Sequence, residues 1–273
     1  VKRSPAPFRL HLLAYGVTLE VRSDSENLLA QAAANLPFGA AIVPEPNAPA
    51  AESLTLASAS AQAGFRLRLR GRILFQSDRA ETVVARLRAY LILKAGEHSP
   101  GRVFVHAGVV AWHGRAIVLP GRSFAGKSTL VAELVRRGAL YYSDEYALVD
   151  RDGLIHPYAQ DLQLRSPGSA AQRSVPIAEL RGVAGREPVR AALILFTRYK
   201  PSATWRPKTL TPGQAVLQLL RQTISVRRAP ATAMRNLTRM MAGAVALQTQ
   251  RGEAAEAVNA LLSAFPTPEP PRP

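Results

Sequence analysis

Apolar positions along the chain alternate between a period of two and a period near 3.6, and the changes of period mark out strands and helices. Residues 8–15 and 17–22 read as two strands around Gly16. A helix follows over 25–35, with Ser23 or Asp24 as its cap and Glu26 in its first turn. Pro37 and Gly39 end it, and the three prolines of 44–52 read as a loop. Residues 53–58, 65–70 and 72–76 read as strands. In the second of these, Phe65, Leu67 and Leu69 alternate with Arg66, Arg68 and Arg70, which predicts one buried face and one solvated basic face. Val83, Val84, Leu87 and Leu91 recur at helical spacing, in a helix capped by Asp78 and running to about Lys94. The break at 96–101 sets a boundary, with a small α+β lobe before it.

Beyond the break, 104–112 and 115–120 read as a hairpin whose two-residue turn is His113-Gly114. Its register can be counted: Trp112 opposite Arg115, Val110 opposite Ile117, Gly108 opposite Leu119, and therefore His106 opposite Gly121. A helix over 130–137 ends at Gly138, and 139–143 is a strand. The right-handed crossover rule makes that strand parallel to 115–120, which brings Asp144 and Glu145 to the edge where ligands bind. Residues 146–150 and 154–158 form a hairpin around Asp152-Gly153, and 160–165 is extended. The stretch 166–187 is expected to be a mobile loop able to cover an acceptor. Strands at 190–199 and 244–250 and helices at 211–222, 230–241 and 252–265 complete the domain. Residues 1–7 and the proline-rich 266–273 are expected to be disordered.

The chain has 273 residues and is 47% hydrophobic, so it can bury a sizeable core. It has no cysteine, hence no disulfide framework and no thiolate metal site. It also shows no clean signal peptide and no run long and apolar enough to span a membrane, which together suggest a cytoplasmic protein without a membrane partner. The net charge of +16 suits an anionic partner, a nucleotide among them. The arginines are scattered, and no aromatic-rich RNA-binding signature accompanies them, so nucleic acid is not the expected partner.

The densest chemistry lies in Gly121, Arg122, Ser123, Phe124, Ala125, Gly126, Lys127, Ser128 and Thr129: glycine, four residues, then Gly-Lys-Ser. A run of strand formers precedes it and a helix-period run follows, as a phosphate loop requires. The glycines let successive N–H groups face phosphate oxygens, and the helix adds its positive end. Lys127 would reach the β- and γ-phosphates, and the Ser128 hydroxyl would face Mg²⁺. The plain alternative is a βα turn that binds nothing. Asp144 and Glu145 could hold the metal or take a proton from an acceptor hydroxyl, or simply be a solvated pair at a strand end. His106 could reach the transferring phosphoryl as a side chain able to titrate near neutral pH, or merely end a strand in a hydrogen bond.

Four stretches in this order and spacing, Val105-His106, Gly121 to Ser128, Leu134-Val-Arg-Arg-Gly138 and Ser143-Asp144-Glu145, resemble the HPr serine kinase/phosphorylase group, which includes related kinases of peptide-biosynthesis clusters. The likeness covers about 102–165, with a weaker echo to the C-terminus. It implies an α/β fold: a P-loop kinase core of the HPr kinase C-terminal domain type, a mixed sheet with flanking helices, preceded by the small α+β lobe. The implied division is 1–98, 99–265 and a tail at 266–273. The resemblance implies Mg²⁺- and ATP-dependent transfer to a serine hydroxyl of a protein or peptide, with His106, Asp144 and Glu145 around the phosphoryl group, and homo-oligomers. Two departures stand out. Glu145 replaces the family's second aspartate, and Gln163 replaces an acid in Leu162-Gln163-Leu164-Arg165, which argues against the reverse phosphorylase activity. Arg165 remains a candidate phosphate clamp, or else a surface ion-pair partner.

The residues therefore assign Lys127 and the loop to phosphate, Ser128 and Asp144 to the metal, and Asp144 or Glu145 to the acceptor proton, with His106 assisting. A small-molecule kinase on the same core and a non-catalytic ATP-binding regulator are the rival readings.

Overall fold

A computed structural model describes residues 6–58, 64–121, 126–165 and 172–265, without the side chains of Arg165 and Gln172. It is a mixed α/β structure that divides into two compact units, Val1–Pro100 and Gly101–Pro273. The first contains β1 (Phe8–Ala14), β2 (Val17–Ser23), α1 (Glu26–Ala34), β3 (Ala40–Val43), β4 (Glu52–Ser58), β5 (Phe65–Leu69), β6 (Arg72–Ser77) and α2 (Ala80–His98). Its strands form one sheet in the order β3-β1-β2-β4-β5-β6, antiparallel except for the β2–β4 pair. Leu12, Leu19, Leu54, Leu56 and Leu67 point to one face, where they meet Val83, Leu87 and Leu91 of α2 in the core of this unit. The two periodicities thus meet on one buried surface.

Several local expectations are corrected. The cap of α1 is Ser25, whose Oγ accepts the Leu28 N–H at 3.3 Å; Ser23 Oγ accepts the Ser25 N–H and Asp24 accepts that of Ser58. Asp78 does not cap α2, which follows Arg79 and makes no side-chain cap bond. That helix continues through Gly96 to His98 because Ala95 and Gly96 are buried and packing outweighs the glycine's preference. Strand β3 falls where Pro37 and Gly39 suggested only irregular chain; it is a short edge strand paired with β1. Arg70 leaves the alternating face, since it sits in the turn after β5 at φ 49° and its Nη2 donates to Glu52 Oε1 at 3.0 Å. Residues 1–5 and 266–273, expected to be disordered, lie outside the described residues.

The second unit holds β7 (Val103–Trp112), β8 (Arg115–Pro120), α3 (Lys127–Arg136), β9 (Leu140–Ser143), β10 (Tyr146–Val149), β11 (Ile155–His156), β12 (Leu162–Arg165), β13 (Gln172–Val175), β14 (Ala191–Tyr199), β15 (Lys208–Thr209), α4 (Pro212–Leu220), α5 (Pro230–Met241), β16 (Val245–Arg251) and α6 (Ala254–Ser263). The main sheet runs β11-β10-β7-β8-β14-β16-β15, with β9 also paired to β7. Strands β8, β14 and β16 are parallel neighbours. One face carries Val118, Ile194 and Ala246 against Ala215, Val216 and Leu219 of α4 and Leu237 of α5. The other carries Val110, Ile117 and Leu119 against Leu130, Val131 and Leu134 of α3 and Val258 and Leu261 of α6.

The β7–β8 register is the one counted from the turn: Trp112 with Arg115, Val110 with Ile117, Gly108 with Leu119. His113 and Gly114 both have positive φ, 48° and 74°, as a two-residue hairpin turn that follows the strand twist requires. Strand β9 runs in the same direction as β8, as the crossover rule required. It does not pair with β8, however; β7 lies between them, antiparallel to both. The stretch expected to be a mobile loop is in part built structure: β13 pairs with β12, a 3₁₀ turn spans Ile177–Leu180, and Ala184 bridges Tyr141. Residues 166–171 lie outside the described part.

Gly108 has a packing reason. A Cβ there would lie 2.6 Å from Val131 Cγ2 of α3, where the helix is pressed against the sheet. Gly108→Ala is expected to cost about 1–3 kcal/mol by overpacking, read as a lower denaturant midpoint at unchanged slope.

Candidate functional site

The site forms at the C-terminal end of β8, where the chain turns into α3. Gly126 precedes the helix at φ 78°, a left-handed conformation that a side chain would strain. A Cβ there would also run into the Arg251 guanidinium. Lys127 is the first helical residue and only 7% exposed. Ser128 Oγ donates to Asp144 Oδ2 at 3.2 Å. Of the predicted phosphate loop, Gly121, Gly126, Lys127, Ser128 and Thr129 are described; Arg122, Ser123, Phe124 and Ala125 lie outside the described residues, as does the Arg165 side chain.

Asp144 and Glu145 lie between the two strands that share β7. Ser143 pairs with Val109 and Tyr146 with His106, so the two acids stand opposite Gly108 and Ala107. Ser143, fully buried, holds the turn: its Oγ accepts the N–H groups of Glu145 at 3.0 Å and Tyr146 at 2.9 Å. The Ala107 N–H donates to the Glu145 carbonyl at 3.1 Å. Asp144 also accepts from the Gln163 N–H at 3.0 Å and the Tyr141 hydroxyl at 3.3 Å. Burial raises its pKa, and the three hydrogen bonds offset that only in part. Gln163 thus serves the site through its backbone. Its side-chain amide turns to Ser174 Oγ, at 3.2 Å.

Lys127 faces both acids electrostatically, yet burial outweighs their attraction and lowers its pKa. His106 lies where the register placed it, with its carbonyl accepting the Gly121 N–H at 3.1 Å. Its ring sits 4.8 Å from that of Tyr146, and its buried Nδ1 has no hydrogen-bond partner among the described residues. Burial, reinforced by the Lys127 charge, pushes its pKa down to about 4. The expected titration near neutrality is therefore corrected: the imidazole is neutral at physiological pH. The unfolded chain takes up this proton near pH 6.5 and the folded chain only near 4. Stability is therefore expected to fall as pH drops across that window, and His106→Gln should flatten this part of the unfolding curve. Labelled-histidine NMR of the unliganded protein should show no His106 midpoint between about pH 6 and 8.

Two contributors had no local signal in the sequence. The single Tyr141 hydroxyl proton is directed at the Gln160 carbonyl at 2.8 Å, with Asp144 Oδ1 at 3.3 Å as the longer, shared acceptor. Arg251, 3% exposed at the end of β16, donates from Nη2 to the Gly126 carbonyl at 2.9 Å and lies 5.2 Å from the Tyr199 ring centre. It braces the start of α3 from 125 residues away. Only the β8-β14-β16 order brings it there, and a lone arginine before Gly252 offers no motif.

On the opposite face of the sheet, beginning at Pro120 and Gly121, an open cleft of about 720 Å³ runs along the C-terminal ends of β8, β14 and β16. Arg198, Arg206, Lys208, Gln222, Gln248 and Gln250 line it.

Ser128 and Asp144 present only oxygen, and no cluster of three or more His, Cys, Asp or Glu occurs among the described residues. A hard cation that keeps its waters and shares a substrate's phosphates fits such a pair, as Mg²⁺ does. No helix of the described residues is long and apolar enough to cross a membrane.

No protein-family model matches the chain, and no curated protein matches it. Among solved structures it is similar to the Hpr(Ser) kinase/phosphatase from Coxiella burnetii, at 14% identity and a TM-score of 0.32, over 59% of this chain and 93% of that one. The relationship is a distant structural one.

Proposed function

We propose that the chain is a Mg²⁺- and ATP-dependent kinase that transfers the γ-phosphoryl group to a hydroxyl, the acceptor being a serine of a protein or peptide. The observation that carries this reading is the Ser128–Asp144 contact beside a buried Lys127, at a helix start on the C-terminal edge of parallel strands. A lysine that loses solvation in the unliganded protein is held ready for an anion. The amides at the start of α3 and Lys127 hold the β- and γ-phosphates. Ser128 and Asp144 would hold Mg²⁺, which supplies charge neutralisation between the phosphates. Asp144 or Glu145 takes the proton from the acceptor hydroxyl. As the acceptor oxygen bonds to the γ-phosphorus, the bond to the β-bridging oxygen breaks and ADP leaves. Neutral His106 orients the transferring group rather than removing the proton. Phosphoryl transfer asks mainly for such positioning and charge neutralisation.

The test incubates the protein with γ-labelled ATP, Mg²⁺ and a host extract separated into protein, peptide and small-molecule fractions. Label in the protein or peptide fraction, as phosphoserine and absent with Lys127→Met, is the expected result. Label confined to small molecules would make the chain a metabolite kinase. ATP binding without transfer to any fraction would make it a regulator.

A further inference from the structure

The cleft on the opposite face of the sheet has no role in phosphoryl transfer as set out above, and its position says what it holds. Side chains alternate along the strands, so the two faces can be assigned. Gly108 faces Val131 of α3, which puts His106, two residues back on β7, on the α3 face. Phe196 packs in the core with α4, and Arg198 shares its parity on β14; Gln248 and Gln250 share the parity of Ala246 on β16. The cleft therefore lies on the α4 face. Among the described residues it meets the phosphate site at the sheet edge, through Gly121 and through Gln222, whose carbonyl accepts the His106 backbone N–H at 2.8 Å.

The order of strands gives this edge a direction. The acids stand beside β7, on one side of β8, while the cleft extends the other way, over β14 and β16. A nucleoside triphosphate has its reacting phosphorus at one end and its nucleoside at the other. With the γ-phosphate turned to Asp144 and Glu145, the nucleoside must leave β8 toward β14. The volume is within the range of about 300–1,000 Å³ usual for ligand pockets. The lining suits this end as well. Carboxamides of Gln222, Gln248 and Gln250 offer both donors and acceptors, as a base edge needs, and Arg198, Arg206 and Lys208 offer charge to the α-phosphate. No acid lines the cleft among the described residues.

We infer that this cleft is the nucleoside site, in which the glutamines read the base and the three cations hold the α-phosphate. This rests on the reading of Lys127 and Ser128 as the β,γ-phosphate site. The test is calorimetric titration with Mg²⁺ and either ATP, GTP or inorganic tripolyphosphate. ATP should bind at least about tenfold tighter than tripolyphosphate. Gln248→Leu with Gln250→Leu should erase that advantage and narrow any preference between ATP and GTP, with tripolyphosphate changed less than about twofold. Both glutamines are exposed, so the fold should tolerate the change. Equal binding of ATP and tripolyphosphate by the unaltered protein, with both lost in Lys127→Met, would overturn the nucleoside site and leave the phosphate site standing. A double glutamine variant that weakens both ligands equally would also overturn it, as would one that raises only the KM for the acceptor. If neither ligand binds, both readings fall together. Photolabelling with an azido-adenine nucleotide gives a check that needs no variant: adducts within 196–206 or 248–250 support the site, and adducts confined elsewhere overturn it.

Discussion

Lys127→Met is expected to reduce phosphoryl transfer by about a thousandfold or more while leaving the melting temperature unchanged or higher. The first part follows from position. Lys127 opens α3, beside Ser128 and the acids, and its charge is the one best placed to meet a transferring phosphoryl group. The second part follows from the sign of its pKa shift. Two nearby carboxylates favour the ammonium form, but burial disfavours it more, and the net shift is downward. Burial therefore makes the charged form costly to the folded, unliganded protein, a cost that sets in as pH falls below the ordinary lysine range. Methionine keeps the volume and the apolar stem and removes that cost. Activity and thermal melting measured on the same preparation decide the matter. Retained transfer would remove the phosphate role from Lys127, and a large fall in melting temperature would make the lysine a structural residue.

Asp144→Asn should lower transfer by about a hundredfold to a thousandfold and raise the Mg²⁺ concentration needed for half-maximal rate. The same variant should match or exceed the parent in stability at neutral pH. Burial raises the Asp144 pKa despite hydrogen bonds from Ser128, Tyr141 and the Gln163 N–H. For a carboxylate shifted upward, the cost to the folded state is present above the folded pKa and disappears as pH falls through it. An uncharged amide escapes the cost at neutral pH while its carbonyl still accepts hydrogen bonds. The stability gained by the variant should therefore shrink in acid. A site that loses function and gains stability on neutralisation is one whose residues are kept for their chemistry. Unchanged Mg²⁺ dependence with reduced rate would move Asp144 from the metal to another role.

The most informative stretch of sequence was the hairpin before the loop. His113-Gly114 admits one tight connection, and a two-residue turn fixes which residues face each other, so His106 could be set against Gly121 by counting alone. The Asp152-Gly153 hairpin was legible for the same reason, with Asp150 Oδ1 accepting the N–H groups of Asp152 and Leu154. The start of α4 was legible from Thr211-Pro212, and it forms a capping box with Gln214. Less legible were weak local signals overruled by packing: α2 running on through Gly96, β3 beside β1, and β13 closing onto β12.

Strand direction, turn register and the glycines of the loop are properties of a few consecutive residues, and the sequence by itself determined them. Which strands became neighbours did not follow, because pairing depends on burial summed over the whole sheet. The placement of β7 between β8 and β9, the Arg251 brace on Gly126, and the cleft over β14 and β16 were decided by tertiary structure. So were the shifts in pKa. The types of His106, Lys127 and Asp144 suggested an acid–base and phosphate site, but only burial sets the direction in which each pKa moves, down for His106 and Lys127 and up for Asp144.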